Sequence, residues 1–296
     1  MRNRHALLLG LALTAACGGS GPPASMDPAP PAHGYQIKTP DFTLASGEEK
    51  YLCSTVKLAE PADVAVTEFA GYTSAVVHHF EVFQALAPEQ DGIFDCSQTL
   101  IKISWLPLFG GGALAGGLKL PDGAGFKIPK DAQLLVQLHL LNATPAAVTN
   151  HVVVNMTYAP DATAVTPAGI FALGSMNINL PAGASGMQVG SSCKAPKTMN
   201  VFAVQPHMHK LGTKITLQHG ADASAPVVYQ RDPWVFGVQP IDLYQAVINP
   251  NDFIATQCTF DNTTAQTVTY GESTTNEMCY FVLFYTPFDH LDGCIN

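Results

Sequence analysis

Charge is scarce in this 296-residue chain: 12% of residues are Asp, Glu, Lys or Arg, with 14 basic against 23 acidic. That sign argues against a nucleic-acid partner, because a phosphate backbone is gripped by clustered Lys and Arg. Long apolar runs are missing after one short run at the start, so no membrane-spanning helix is expected beyond it. Helical periodicity is hard to find, which leaves strands as the default element. No two cysteines stand at C-x-x-C spacing, which removes the common zinc frameworks. Gly110-Gly111-Gly112 and Gly116-Gly117 are not followed by a P-loop lysine and serine, so they read as a flexible loop and not a phosphate cradle.

At the start of the chain, Arg2 and Arg4 precede a mostly apolar run over residues 6–16 that ends at Cys17. This is the pattern of a secretory signal, too short to anchor in a bilayer by itself. Leu13-Thr14-Ala15-Ala16-Cys17 resembles a bacterial lipobox, with Thr14 an imperfect match. The resemblance implies export, lipidation of Cys17, and a bacterial lipoprotein facing the periplasm or cell exterior, touching the membrane only through its anchor. Residues 18–34 are dominated by Gly, Pro, Ser and Ala and are expected to be a flexible tether. Loss of the signal leaves 12 basic residues against 23 acidic ones.

With Cys17 assigned to the lipid, six cysteines remain, at 53, 96, 193, 258, 279 and 294. An even number in an exported chain points to disulfides. Fifteen pairings are open, although the gap from 96 to 193 suggests one pair in an N-terminal unit and two in a C-terminal unit. Short runs rich in Val, Phe, Tyr and Thr recur between turn residues, at 63–69, 75–86, 133–141, 151–158, 199–205, 212–218 and 278–285. The fold class is therefore all-β. Residues 159–167 (APDATAVTP) carry two prolines and little aliphatic bulk and mark an interdomain connection. Two tandem domains are expected, over 35–160 and 161–296, each fitting an antiparallel β-sandwich or jelly roll.

Within or beside those strands lie five histidines and a methionine that copper accepts as ligands: His78, His79, His139, His207, His209 and Met278. His207 and His209 share one strand face and can hold one ion, and Pro206 before them suits a strand end or edge. An isolated H-x-H pair also decorates solvated faces. His78 and His79 would point to opposite faces of a flat strand, so a shared ion requires a bulge or strong twist. In 134–140, alternation puts Val136, Leu138 and Leu140 on one face and His139 with Leu135 and Gln137 on the other. A histidine there is equally at home as a hydrogen-bonded core residue, and Met278 as core filler. His151, His219 and His290 have no sequence partner and read as structural or exposed.

The order of these motifs resembles the copper type II, ascorbate-dependent monooxygenases, the family of peptidylglycine α-hydroxylating monooxygenase and dopamine β-monooxygenase. His78-His79-Phe80 resembles its His-His motif, and Gly123-Ala124-Gly125-Phe126 its G-x-G-F segment. Gln137-Leu138-His139 follows at the spacing of the third histidine. Pro206 to Gly212 resembles the H-x-H...L-G motif, and Ser273 to Cys279 the S-T-x-(D/N)-E-M-C segment. The resemblance implies two jelly-roll domains facing across a solvent-filled cleft. It also implies bridges Cys53 with Cys96, Cys193 with Cys294 and Cys258 with Cys279, the last bracing Met278. Two coppers per chain would follow: an electron-storing ion on His78, His79 and His139, and a dioxygen-binding, C–H-attacking centre on His207, His209 and Met278. Ascorbate or a similar one-electron donor would reduce both, and dioxygen would supply one oxygen atom to a small-molecule substrate.

Departures from the family narrow the substrate. Gln205 stands where peptide-amidating members carry an arginine that clamps a carboxylate, and a neutral amide cannot form that pair. Tyr280 and Val282 replace the polar pair of the peptide pocket. Peptide amidation is disfavoured and a small apolar or aromatic substrate fits better. The competing readings are a noncatalytic periplasmic copper-binding lipoprotein and a β-sandwich adhesion or carbohydrate-binding module. The N-x-T triplets at Asn142, Asn155 and Asn262 match a glycosylation pattern that carries no meaning in a bacterium.

Overall fold

The computed structural model describes residues 27–97, 102, 104–112 and 116–296. The expected signal, Cys17 and tether residues 18–26 lie outside the described residues. The fold is all-β, with two β-sandwich halves in tandem.

In the first half, one sheet runs Gly34–Lys38, Val153–Tyr158, Val64–Tyr72, Ala124–Ile128 and Thr166–Pro167, with Gly117–Lys119 also on Val64–Tyr72. The facing sheet runs Ile93–Asp95, Glu49–Lys57, Gln133–Leu141, Val77–Ala85 and Trp105–Gly112. Gln133–Leu141 is its central strand, and the expected alternation holds. Leu134, Val136, Leu138 and Leu140 enter the main core with Phe69, Phe80 and Phe126, whereas Leu135 packs around the Cys53–Cys96 bridge on the other face.

The second half repeats the arrangement. One sheet runs Asp242–Ile248, Met199–Met208, Cys279–Thr286, Gly169–Gly174 and Asp292–Ile295; the other runs Met187–Lys194, Phe253–Phe260, Gly212–Gly220 and Val227–Arg231. Leu173, Val201, Phe281 and Leu283 meet Ile215, Leu217, Ile254 and Phe260 in the second core. Ile170, Phe202 and Phe284 of this half are buried in the first core instead. At about 1.5–3 kcal/mol for each large side chain buried, these three bind the halves more firmly than exposed ion pairs worth 0–1 kcal/mol could.

Three boundary expectations need correction. The tether does not extend through residue 34: Asp27 pairs with Lys38 and His151, and Gln36 donates to the Pro28 carbonyl, so the chain is already docked by residue 27. The change of domain falls after residue 167, not 160. Ala159 N–H bonds the Ala65 carbonyl, 162–164 form a 3-10 turn capped by Asp161, and Thr166–Pro167 still pairs with Ala124–Gly125. Gly110 to Gly112 are not a loop but the end of a strand paired with Val77–Ala85. A Cβ on Gly111 would meet the Phe80 ring at 2.9 Å, which explains the missing side chain better than mobility does.

The three disulfides are those implied by the resemblance: Cys53–Cys96, Cys193–Cys294 and Cys258–Cys279. The unpartnered histidines of the sequence are tied locally, His151 to Asp27 and Asp41, His219 to the Tyr244 hydroxyl, and His290 to Asp289 and Asp292.

Candidate metal centres

His78 and His79 lie on Val77–Ala85, and His139 is opposite on Gln133–Leu141. The register pairs His139 with His79 but Leu140 with Val77, so His78 is the extra residue of a bulge. That bulge is the device the adjacent pair required, since it turns both rings to one side. One ligand atom from each of His78, His79 and His139 lies within 4.8 Å of the others.

The chemistry of this set is that of a cation cradle. His78 Nδ1 and His79 Nδ1 approach to 3.1 Å. His139 Nε2 is hydrogen-bonded to Glu49 Oε1 at 2.7 Å, which leaves Nδ1 to coordinate. His139 Nδ1 and His78 Nε2 are buried with no partner among the described residues. Burial and neighbouring histidines push His78 down to about 4 and His79 well below its ordinary value, and burial also lowers His139. All three are neutral imidazoles at pH 7, the form that binds copper. Tyr51 stacks on His139 at 4.3 Å between centroids, and Phe236 of the second half stacks on His78 at 4.3 Å.

His207 lies near the end of Met199–Met208, with His209 just beyond. That strand pairs Met208 with Cys279, so one further step sets His209 beside Met278. Pairing with Asp242–Ile248 reaches only to Val204, so Pro206 stands where one strand edge is free, as its missing donor requires. His207 Nδ1 is anchored on Gln239 Oε1 and His209 Nδ1 on the Asn276 carbonyl, both at 3.0 Å. In both rings Nδ1 is thus engaged and Nε2 is the nitrogen left to coordinate. Burial holds His207 down to about 3 and His209 to about 4, so these two are also neutral. Met278 is buried, 6% exposed, and next to the Cys258–Cys279 bridge. A thioether with a small intrinsic affinity is useful only when held in this way.

Two soft or borderline three-ligand sets with no carboxylate among the six suit copper better than magnesium or calcium. They are also close: the His79 and His207 rings stand 6.0 Å apart between centroids. Phe236 and the shared core draw the halves together beside these two rings. His79, His207, His209 and Met278 open into one cavity of about 820 Å³ built from both halves. Its wall includes Gln205, Tyr280 and Val282, as expected, together with Glu81 and Glu272. Burial raises both carboxyls to about 7, and for Glu272 the charge of Glu81 adds to it.

The sequence reading missed Glu49, Tyr51, Phe236, Gln239, Glu81 and Glu272. Glu277 was visible only as a letter of the S-T-x-(D/N)-E-M-C segment. Of the other six, Glu81 carries a local signal, two residues beyond His79 on one strand face, whereas the rest reach the site through sheet pairing, loop placement or interdomain packing.

Residues 166–296 match the family model described as copper type II ascorbate-dependent monooxygenase, C-terminal domain. Among solved structures, a fucolectin from striped bass (Morone saxatilis) serum is 10% identical, with 83% of this chain and 84% of that chain covered and a TM-score of 0.21. The VP2 subviral particle of infectious bursal disease virus is 9% identical, with 89% and 74% covered and a TM-score of 0.20. Superpositions that poor carry no argument.

Proposed function

We propose that this protein is an exported, copper-dependent monooxygenase that hydroxylates a C–H bond of a small organic substrate, using dioxygen and a reductant such as ascorbate. The observation that supports the reading is the gathering of His78, His79 and His139 within 4.8 Å, together with the opening of His79, His207, His209 and Met278 into one substrate-sized cavity. When bound, copper supplies the one-electron chemistry that a protein side chain lacks.

The chain's own groups do the rest. Glu49, Gln239 and the Asn276 carbonyl fix ring orientation, so that one nitrogen of His139, His207 and His209 stays free. The cavity wall is mainly apolar, which suits an apolar or aromatic substrate. Lys102 is the one lysine or arginine on that wall among the described residues, and Glu89 holds it at 2.6 Å. A substrate with a terminal carboxylate therefore finds no free cation and meets Glu81 and Glu272 instead, which speaks against peptide amidation. Attachment to a bacterial membrane through Cys17 belongs to the same proposal and rests on the first seventeen residues.

Copper counted on the disulfide-intact protein tests the reading. Two coppers per chain are expected, falling to about one in His207→Ala, together with ascorbate-dependent oxygen uptake on addition of a small aromatic or aliphatic substrate. One copper or none would sink it. Two coppers with no oxygen uptake across a broad substrate panel would leave a copper-binding lipoprotein.

A further inference from the structure

A single segment, 272–278, touches both ligand sets. At its start, the Glu272 carbonyl accepts from the Tyr51 hydroxyl at 2.7 Å, and Tyr51 is the ring stacked on His139. Thr274, 6% exposed, donates to Glu49 Oε1 at 3.2 Å, the same oxygen that holds His139 Nε2. Two residues on, the Asn276 carbonyl anchors His209 Nδ1, Glu277 accepts from the His209 and Leu211 N–H groups, and Met278 follows. The path from His139 to Met278 thus runs through one carboxylate oxygen, one hydroxyl and four residues of backbone.

From this geometry we infer that Thr274 is a positioning residue that couples the two sets: filling the His78, His79 and His139 set steadies Glu49, and through Thr274 it fixes the backbone that presents Met278. The inference rests on the copper reading above. Metal on His139 Nδ1 leaves Nε2 as the protonated nitrogen, and the N–H then points at Glu49. Glu49 held in this way keeps its second bond to Thr274. With the first set unfilled, His139 is held by Glu49 alone and its Nδ1 has no partner among the described residues, so the ring and the carboxylate behind Thr274 are less firmly fixed. The consequence is reciprocal, as any linkage between sites must be.

The test is a cycle of Thr274→Val, His78→Ala and the double variant against wild type. It measures copper(I) affinity by competition with a chromogenic chelator. Second-set occupancy is read from the copper–sulfur contribution to X-ray absorption, since Met278 is the one sulfur among the six ligands. Val keeps the shape of the buried side chain, and Glu49 retains His139, so the fold is expected to survive; the three disulfides and the thermal unfolding curve check this. His78→Ala and Thr274→Val should each weaken the second set by about tenfold, within the usual range of coupling between sites. The double variant should be no weaker than either single one, and Thr274→Ser should restore wild-type affinity. Two coppers with unchanged second-set affinity in Thr274→Val, or losses that multiply in the double variant, would overturn the coupling alone. Wild type without copper would overturn the monooxygenase reading, and the coupling with it.

Discussion

The carboxylate of Glu277 accepts the backbone N–H of His209 at 3.0 Å, and through its other oxygen that of Leu211 at 2.6 Å. A side chain adjacent to Met278 thereby holds the backbone of His209, which follows the neighbouring strand. Glu277 is fully buried, and burial raises its carboxyl to about 7 even against these bonds. A buried acid is costly, and here it satisfies two N–H groups left free where Met199–Met208 ends.

Replacing Glu277 by Leu should strand those two donors. At roughly 1–3 kcal/mol for each unpaired buried group, the loss is about 2–6 kcal/mol, read from denaturant unfolding of the metal-free protein. Glu277→Gln keeps one acceptor and should lose about half as much. Equal losses would mean that charge and not hydrogen bonding is what the site uses.

Gln239 holds His207 Nδ1 from the loop that also carries Phe236, the ring on His78. Gln239→Leu should weaken copper binding at the His207, His209 and Met278 set by about 10–100-fold, the usual effect of losing a ligand's outer partner. Competition titration measures this, and His78, His79 and His139 should retain their ion. An unchanged affinity would show that packing alone orients His207.

The histidines on regular strands were legible because strand alternation is local: His139 with Leu135 and Gln137, and His207 with His209, need only a period of two. The adjacent pair His78-His79 was legible only as a demand for a bulge, which the register meets at His78. Glu49, Tyr51, Phe236 and Gln239 were not legible. Glu49, 90 residues from His139 in sequence, and Tyr51, its direct partner across the sheet, reach it through sheet pairing, and Phe236 crosses from the other half. The glycines at 110–112 misled for a related reason: glycine marks close approach as well as flexibility, and the approaching group, Phe80, is distant in sequence.

Stability should depend on pH through Glu272. Its carboxyl titrates near 4.5 when unfolded and about 7 when folded, because burial and then the charge of Glu81 disfavour the ionised form. The folded chain holds the proton more tightly, so this contribution is fully present below 4.5 and is lost as pH rises through 7. Glu272→Gln stays neutral throughout. Metal-free wild type should therefore lose stability relative to the variant between about pH 4.5 and 8. A difference that is flat across that window would show a solvated carboxylate.

The two N-x-T triplets at Asn142 and Asn262 serve the fold. Asn142 Nδ2 donates to the carbonyls of Leu44, Ala45 and Ala146, and Asn262 Nδ2 to those of Leu180, Pro181 and Gln266. In both, the side-chain carbonyl accepts the N–H and the hydroxyl of the threonine two residues on. The same buried corner, once in each half, closes the same place in both sandwiches. A spacing that reads as a surface modification signal is thus the joint of a repeated domain. Asn142→Ala or Asn262→Ala leaves several buried carbonyls without a donor, so each should cost about 2–4 kcal/mol in chemical unfolding. The Asn155→Ala change, whose side chain sits near the surface and bonds the Ala29 carbonyl and Gln36, should cost under about 1 kcal/mol. Three equal losses would show that the corner has no special place in the fold.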